Sequence, residues 1–179
     1  MIFRRIGRRP TKDIGIMTRL FTAAEHIALA DGLDSVGAEH LLLAALDLDN
    51  DDSARRALET IGADPDHLAA AVRAQHTTAL EAVGVTPLPD RSLDRHLPEP
   101  TEPGRPLKTG ASAQKLFRKV VKQVRSDRSQ LYGAYFVLFA AREAHGSAIR
   151  AIQHLDIDPV ALEASAQNEI DERNRALRR

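Results

Sequence analysis

Apolar positions recur along the chain at helical spacing, and the pattern occurs twice. Ile16, Leu20, Ala24, Ile27 and Ala28 share one face of a helix predicted over about 14–31, and Gly32 supplies its left-handed stop. The next helix is predicted from Gly37 and carries HLLLAAL, an almost unbroken apolar run of the kind buried on most faces. After the acidic loop 47–52, Asp52 or Ser53 is a natural N-cap for a third helix that Gly62 closes. Asp64-Pro65 opens a fourth, with Asp at the cap and Pro at the first helical position. The second half predicts the same order over 111–127, 133–144, 147–155 and 159–173. No stretch alternates with period two long enough to be a sheet strand, so the chain reads as all-α.

The two halves align residue by residue. Placing Gly37 on Gly133, an offset of 96, puts Leu20-Phe21 on Leu116-Phe117, Leu42 on Leu138 and Ala44-Ala45 on Ala140-Ala141. Shortening the next loop by two residues puts Ser53-Ala54 on Ser147-Ala148 and Asp64-Pro65 on Asp158-Pro159. Such self-similarity marks an internal repeat. Six of the nine prolines fall between Pro87 and Pro106, where no regular element survives them. The organisation expected is a basic tail (1–13), a first repeat (14–84), a Pro-rich linker (85–108), a second repeat (109–173) and a basic C-terminal tail (174–179). Each half alone is near the size at which a core becomes marginal. The two tandem four-helix repeats are therefore expected to pack as one pseudo-twofold domain.

Charge and composition narrow the function. Lys+Arg and Asp+Glu are both 25, so the net charge is zero, which argues against nucleic-acid binding by bulk charge. The absence of cysteine excludes a disulfide scaffold, a thiolate zinc site and a cysteine nucleophile. The basic start MIFRRIGRRP is not followed by an apolar stretch of signal-peptide length. The longest uncharged run, 129–141, has 13 residues, too few to span a bilayer. A soluble cytoplasmic protein without membrane contact is expected.

Candidate chemistry is sparse. Glu39 and His40 are adjacent at a helix start, but neighbours on a helix point about 100° apart and rarely act on one atom. A glutamate there is favoured by the helix dipole, so capping and ligand contact both stay open. The seven histidines form no H-E-x-x-H, and no G-x-S-x-G is present. No catalytic or metal-binding residue is assigned, and no cofactor is expected. The segment 113–128 sets Lys115, Arg118, Lys119, Lys122, Arg125 and Arg128 against one Asp, a solvated basic face or a contact for an acidic partner. Segment 31–66 is strongly acidic, so the two can pair internally or with a partner. Tyr132 and Tyr135 begin a helix, suited either to packing or to a hydrophobic peptide.

The repeated pattern of a helix, Gly37-Ala38-Glu39-His40-Leu41-Leu42-Leu43, a short loop, Ser53-Ala54 with Ala57-Leu58, and Gly62-Ala63-Asp64-Pro65 resembles the Clp N-terminal domain, or Clp repeat. The likeness covers about 14–76 and 109–170, and in the second copy Tyr135-Phe136 replaces Glu-His. The resemblance implies a mobile module that binds client and adaptor proteins for a Clp ATPase. It also implies a small peptide-binding groove at Glu39, with Tyr132 and Tyr135 at its counterpart. No G-x-x-x-x-G-K-[ST] phosphate loop occurs, so a non-enzymatic, free-standing N-domain is expected. The alternative is a regulator that binds nucleic acid or another polyanion through 113–128 and the Arg-rich termini.

Some members of the resembled family hold phosphoarginine, with a glutamate at the Glu39 position and a threonine at the start of the first helix of each repeat. Here Ile14 and Gly110 fall at the threonine positions, and Tyr135 replaces the second glutamate. Losing one charge-assisted partner costs about 1.5–3 kcal/mol. Titration of free phosphoarginine by NMR is expected to show weak or no binding near Glu39 and none at Tyr135. Two saturable sites of similar strength would contradict this.

Overall fold

The computed structural model describes residues 10–48, 51–82 and 108–178. Among them lie α1 (Pro10–Ala30), α2 (Ala38–Leu46), α3 (Ser53–Glu59) and α4 (Pro65–Ala82). The second half carries α5 (Ala111–Asp127), α6 (Ala134–Ala141), α7 (Ser147–His154) and α8 (Pro159–Leu177). The fold is all-α, and its helices fall where the apolar periodicity predicts them. Two ends differ. The first helix begins at Pro10 rather than near 14, because a proline in the first turn costs no hydrogen bond. Helix α8 runs on to Leu177, taking in most of the segment set apart as a C-terminal tail. Residues 1–9 of the N-terminal tail and 83–107, nearly all of the expected linker, lie outside the described residues.

The turns repeat in register. Gly32 and Gly62 adopt the left-handed conformation, with φ of 73° and 75°. At the offsets of 96 and 94 stand Arg128 and Asp156, the two non-glycine residues with positive φ among those described, at 52° and 54°. Their hydrogen bonds repeat as well. Leu33 N–H donates to Ala28 O at 2.8 Å and Ser129 N–H to Val124 O at 3.1 Å. Ala63 N–H donates to Leu58 O at 3.1 Å and Ile157 N–H to Ile152 O at 3.2 Å. Each is the long-range bond of a Schellman-type helix stop. The second half keeps the backbone conformation after losing the glycines that make it cheap.

Helices α2 and α6 occupy the centre. All of α6 is buried, as is α2 from Glu39 to Leu46. Helix α6 packs on α2, α3, α5, α7 and α8, and α2 also meets α1, α5 and α7. Contacts between the halves come in exchanged pairs: α3 lies on α8 and α4 on α7, while α2 meets α7 and α6 meets α3. One feature was not foreseen from periodicity. Ser35–Val36 (β1) and Lys108–Thr109 (β2) pair in parallel, Ser35 with Lys108 and Val36 with Thr109. A two-residue ribbon is too short to leave an alternating pattern. It joins the starts of α2 and α5, where Gly110 N–H donates to Val36 O at 2.8 Å and Ala38 N–H to Ser112 Oγ at 3.2 Å.

The start of α6 is clasped by the first half. Asp51 Oδ2 accepts from Gly133 N–H at 2.5 Å, and Ser53 Oγ accepts from Ala134 N–H at 2.9 Å. Asp51 Oδ1 also accepts from Ser53 N–H at 3.1 Å. Gly133 has an ordinary helical φ of −56°, so its need for glycine is one of space. A Cβ there would lie 2.9 Å from Ala45 O and 3.1 Å from Ala54 Cβ. Gly133→Ala is expected to lower stability in urea denaturation by about 1–3 kcal/mol, as overpacking does. Helix propensity alone predicts the opposite sign, so a stabilised variant would contradict the close approach. Asp51→Ala is expected to cost about 2 kcal/mol or more, through loss of a cap and a buried unpaired amide.

Candidate functional site

The start of α2 brings Glu39 and His40 together as structural groups. His40 Nδ1 accepts from Gly37 N–H at 2.7 Å, which places the ring proton on Nε2. Nε2 faces Asp31 Oδ2 at 3.7 Å, and the ring is 1% exposed. His40 thus reaches back to the N-cap amide as a capping-box residue does. Glu39 is also buried, its carboxylate folded over Gly37, where a Cβ would collide with Oε1. The arrangement favours capping over ligand contact. Ile14, at the position where the resemblance expects a threonine, is exposed and carries no hydroxyl.

Tyr132 and Tyr135 lie in the core, the packing alternative of the two that their helix start left open. Tyr135 is fully buried and donates its hydroxyl to Asp127 Oδ2 at 2.9 Å. Burial raises its phenol well above the ordinary tyrosine value. Tyr132 stacks parallel to it, centroids 6.4 Å apart, beneath the Arg173 guanidinium at 5.6 Å. Both rings are consumed by packing.

The basic face of α5 is split. Lys115 and Lys119 converge on Glu143, at 2.9 Å and 2.6 Å. Burial pushes the Glu143 carboxyl up, and the two lysines more than offset it, holding it below its ordinary value. Their acidic partner is internal, and it lies outside the acidic segment 31–66. Arg118, Lys122 and Arg125 stay exposed, with Arg118 Nε donating along its own helix to Gln114 O at 3.2 Å.

A second network escaped the sequence reading. Arg173 on α8 donates to Glu169 Oε1 at 2.8 Å, lies 3.4 Å from Asp51 and pairs closely with Asp52. Glu169 also meets Arg56 at 3.3 Å. Burial works against the Arg173 charge, and its carboxylate partners outweigh that cost. A cavity of about 530 Å³ beside this network is lined by Leu46, Asp47, Leu48, Asp51, Asp52 and Arg55. Its charges are already engaged: Arg55 donates to Leu46 O at 3.0 Å and to Asp66 at 2.8 Å. Only the run of aspartates at 47–52 hinted at this site, and nothing in it named the partner on α8. Among the described residues no three metal-ligating side chains gather, and no helix is long and apolar enough to cross a membrane.

This arrangement, two central buried helices with outer helices exchanged between halves, is a Clp N-domain fold. The crystal structure of the N-terminal domain of ClpD from Arabidopsis thaliana, a caseinolytic protease associated chaperone, matches 96% of this chain and 99% of its own. The TM-score is 0.58 and the identity 17%, a likeness of fold. No protein-family model matches the chain, and no curated protein is significantly similar to it.

Glu143 gives a pH prediction. Its folded carboxyl titrates below the unfolded one, so its contribution is present above the unfolded value and is lost as pH falls through the folded one. Glu143→Gln is expected to destabilise by about 1 kcal/mol near neutral pH. The difference should fade below about pH 4. A deficit that persists at acid pH in urea titrations would mean that the lysine pairs are not its cause.

Proposed function

We propose that this chain is a non-enzymatic binding module of the Clp N-domain type, which takes up client or adaptor proteins in ATP-dependent protein quality control. The observation that carries the reading is the match to a Clp N-domain from end to end of both chains. In this reading 14–84 and 109–173 act as one body, and the protein works in the cytoplasm beside a Clp ATPase. In this reading client contact falls on the outer helix faces, a choice supported by the burial of Glu39, His40, Tyr132 and Tyr135. The polyanion reading loses ground, because Glu143 pairs with both Lys115 and Lys119 and offsets part of the basic charge of α5.

Titration of the full chain with unfolded model proteins of acidic and basic net charge, and with Clp adaptors, tests this by fluorescence anisotropy. Saturable micromolar binding to an unfolded protein or an adaptor is expected, with no turnover of ATP. Indifference to every protein ligand, or saturable ATP hydrolysis, would overturn it.

A further inference from the structure

The part of α5 that Glu143 does not neutralise has a definite form. Arg118, Lys122 and Arg125 follow i, i+4, i+7 spacing and so line one flank of the helix. None of the three makes an ion pair among the described residues, whereas Lys115 and Lys119 do. Phe117 and Val121 lie beside them, only partly buried. Phe117 is braced from behind by Phe21 of α1, ring to ring at 5.0 Å and 77°. Together Phe117, Arg118, Val121, Lys122 and Arg125 line an open cleft of about 340 Å³. Helix α5 packs on α2 and α6, and among the described residues no further helix packs extensively on it.

We infer that this cleft takes an acidic peptide segment of a partner protein, an apolar side chain resting on Phe117 and Val121 and carboxylates meeting Arg118, Lys122 and Arg125. The three cations span about 10 Å along the helix, two turns of a helical peptide or three residues of an extended one. An apolar floor beside fixed cations suits a peptide with both kinds of side chain. It suits a nucleic acid poorly. Three contacts are few against the roughly 6–10 phosphates that a strongly salt-dependent binder neutralises. The inference rests on the reading of the chain as a protein-binding module and names the chemistry of one partner class.

The test uses the full chain and a fluorescent peptide of about twelve residues with Glu and Leu at i, i+4 spacing. Controls are the same peptide with Lys for Glu, one with Ser for Leu, and a single-stranded oligonucleotide of equal charge. Micromolar binding of the Glu/Leu peptide alone is expected, with NMR shifts centred on Phe117, Val121 and Lys122. Lys122→Glu and Arg125→Glu alter exposed side chains, so the fold is expected to persist, and circular dichroism checks it. Each should weaken the peptide about tenfold or more while leaving binding of a basic unfolded protein unchanged. Failure of the acidic peptide while other unfolded proteins still bind would overturn this inference and leave the proposed function standing. Failure of every protein ligand would overturn both. Tighter binding of the oligonucleotide, or indifference to the loss of Leu, would overturn it in favour of a polyanion site.

Discussion

The buried carboxylate of Asp51 ties the start of α6 to the first half. Helix α6 is buried along its whole length, so water cannot satisfy the amides of its first turn. The first half supplies the acceptors instead, from Asp51 and Ser53. A buried carboxylate is costly unless it is paired and hydrogen-bonded. Here it accepts two backbone N–H groups, faces the positive end of α6 and has Arg173 at 3.4 Å. Gly133 has no room for a side chain, and α3 and α8 are laced by Arg56, Glu169 and Arg173, with Ser165 Oγ donating to Ala57 O at 2.7 Å.

The same logic operates at α2 with different residues. Its first amide is met by Ser112 of the other half, and the amide before it by His40. Each central helix thus begins on a residue from the opposite half. The chemistry of the cap has diverged: a carboxylate and a serine on α6, an imidazole and a serine on α2. Glu39, His40, Tyr132 and Tyr135 occupy equivalent helix starts and are spent on holding the interior. On the outside of α5 one carboxylate pairs with two cations, and Arg118, Lys122 and Arg125 stay exposed.

Much of the fold was legible in the sequence because its signals are local. Helix periods, Asp-Pro starts and glycine stops each act within a few residues, and the repeat let the clear copy interpret the faded one. Arg128 and Asp156 show the limit: they take the left-handed turn by register alone, without a glycine to announce it. The site was less legible. Whether Lys115 is solvated or paired depends on Glu143, 28 residues away. Whether the aspartate loop is a solvent-facing turn or a cap depends on Gly133, 82 residues from Asp51. Side-chain pairs at such distances leave no periodicity, and the two tyrosines had the composition of a binding surface until burial was known.

Native-state hydrogen exchange at low denaturant, read by NMR, tests the clasp between the halves most directly. The account predicts that the amides of Gly133 and Ala134 exchange only through global unfolding, with the free energy and denaturant slope of Leu42 in α2 and Leu138 in α6. Opening of α6 and its first-turn amides at lower free energy and smaller slope, while α2 stayed protected, would show two independent halves and contradict it.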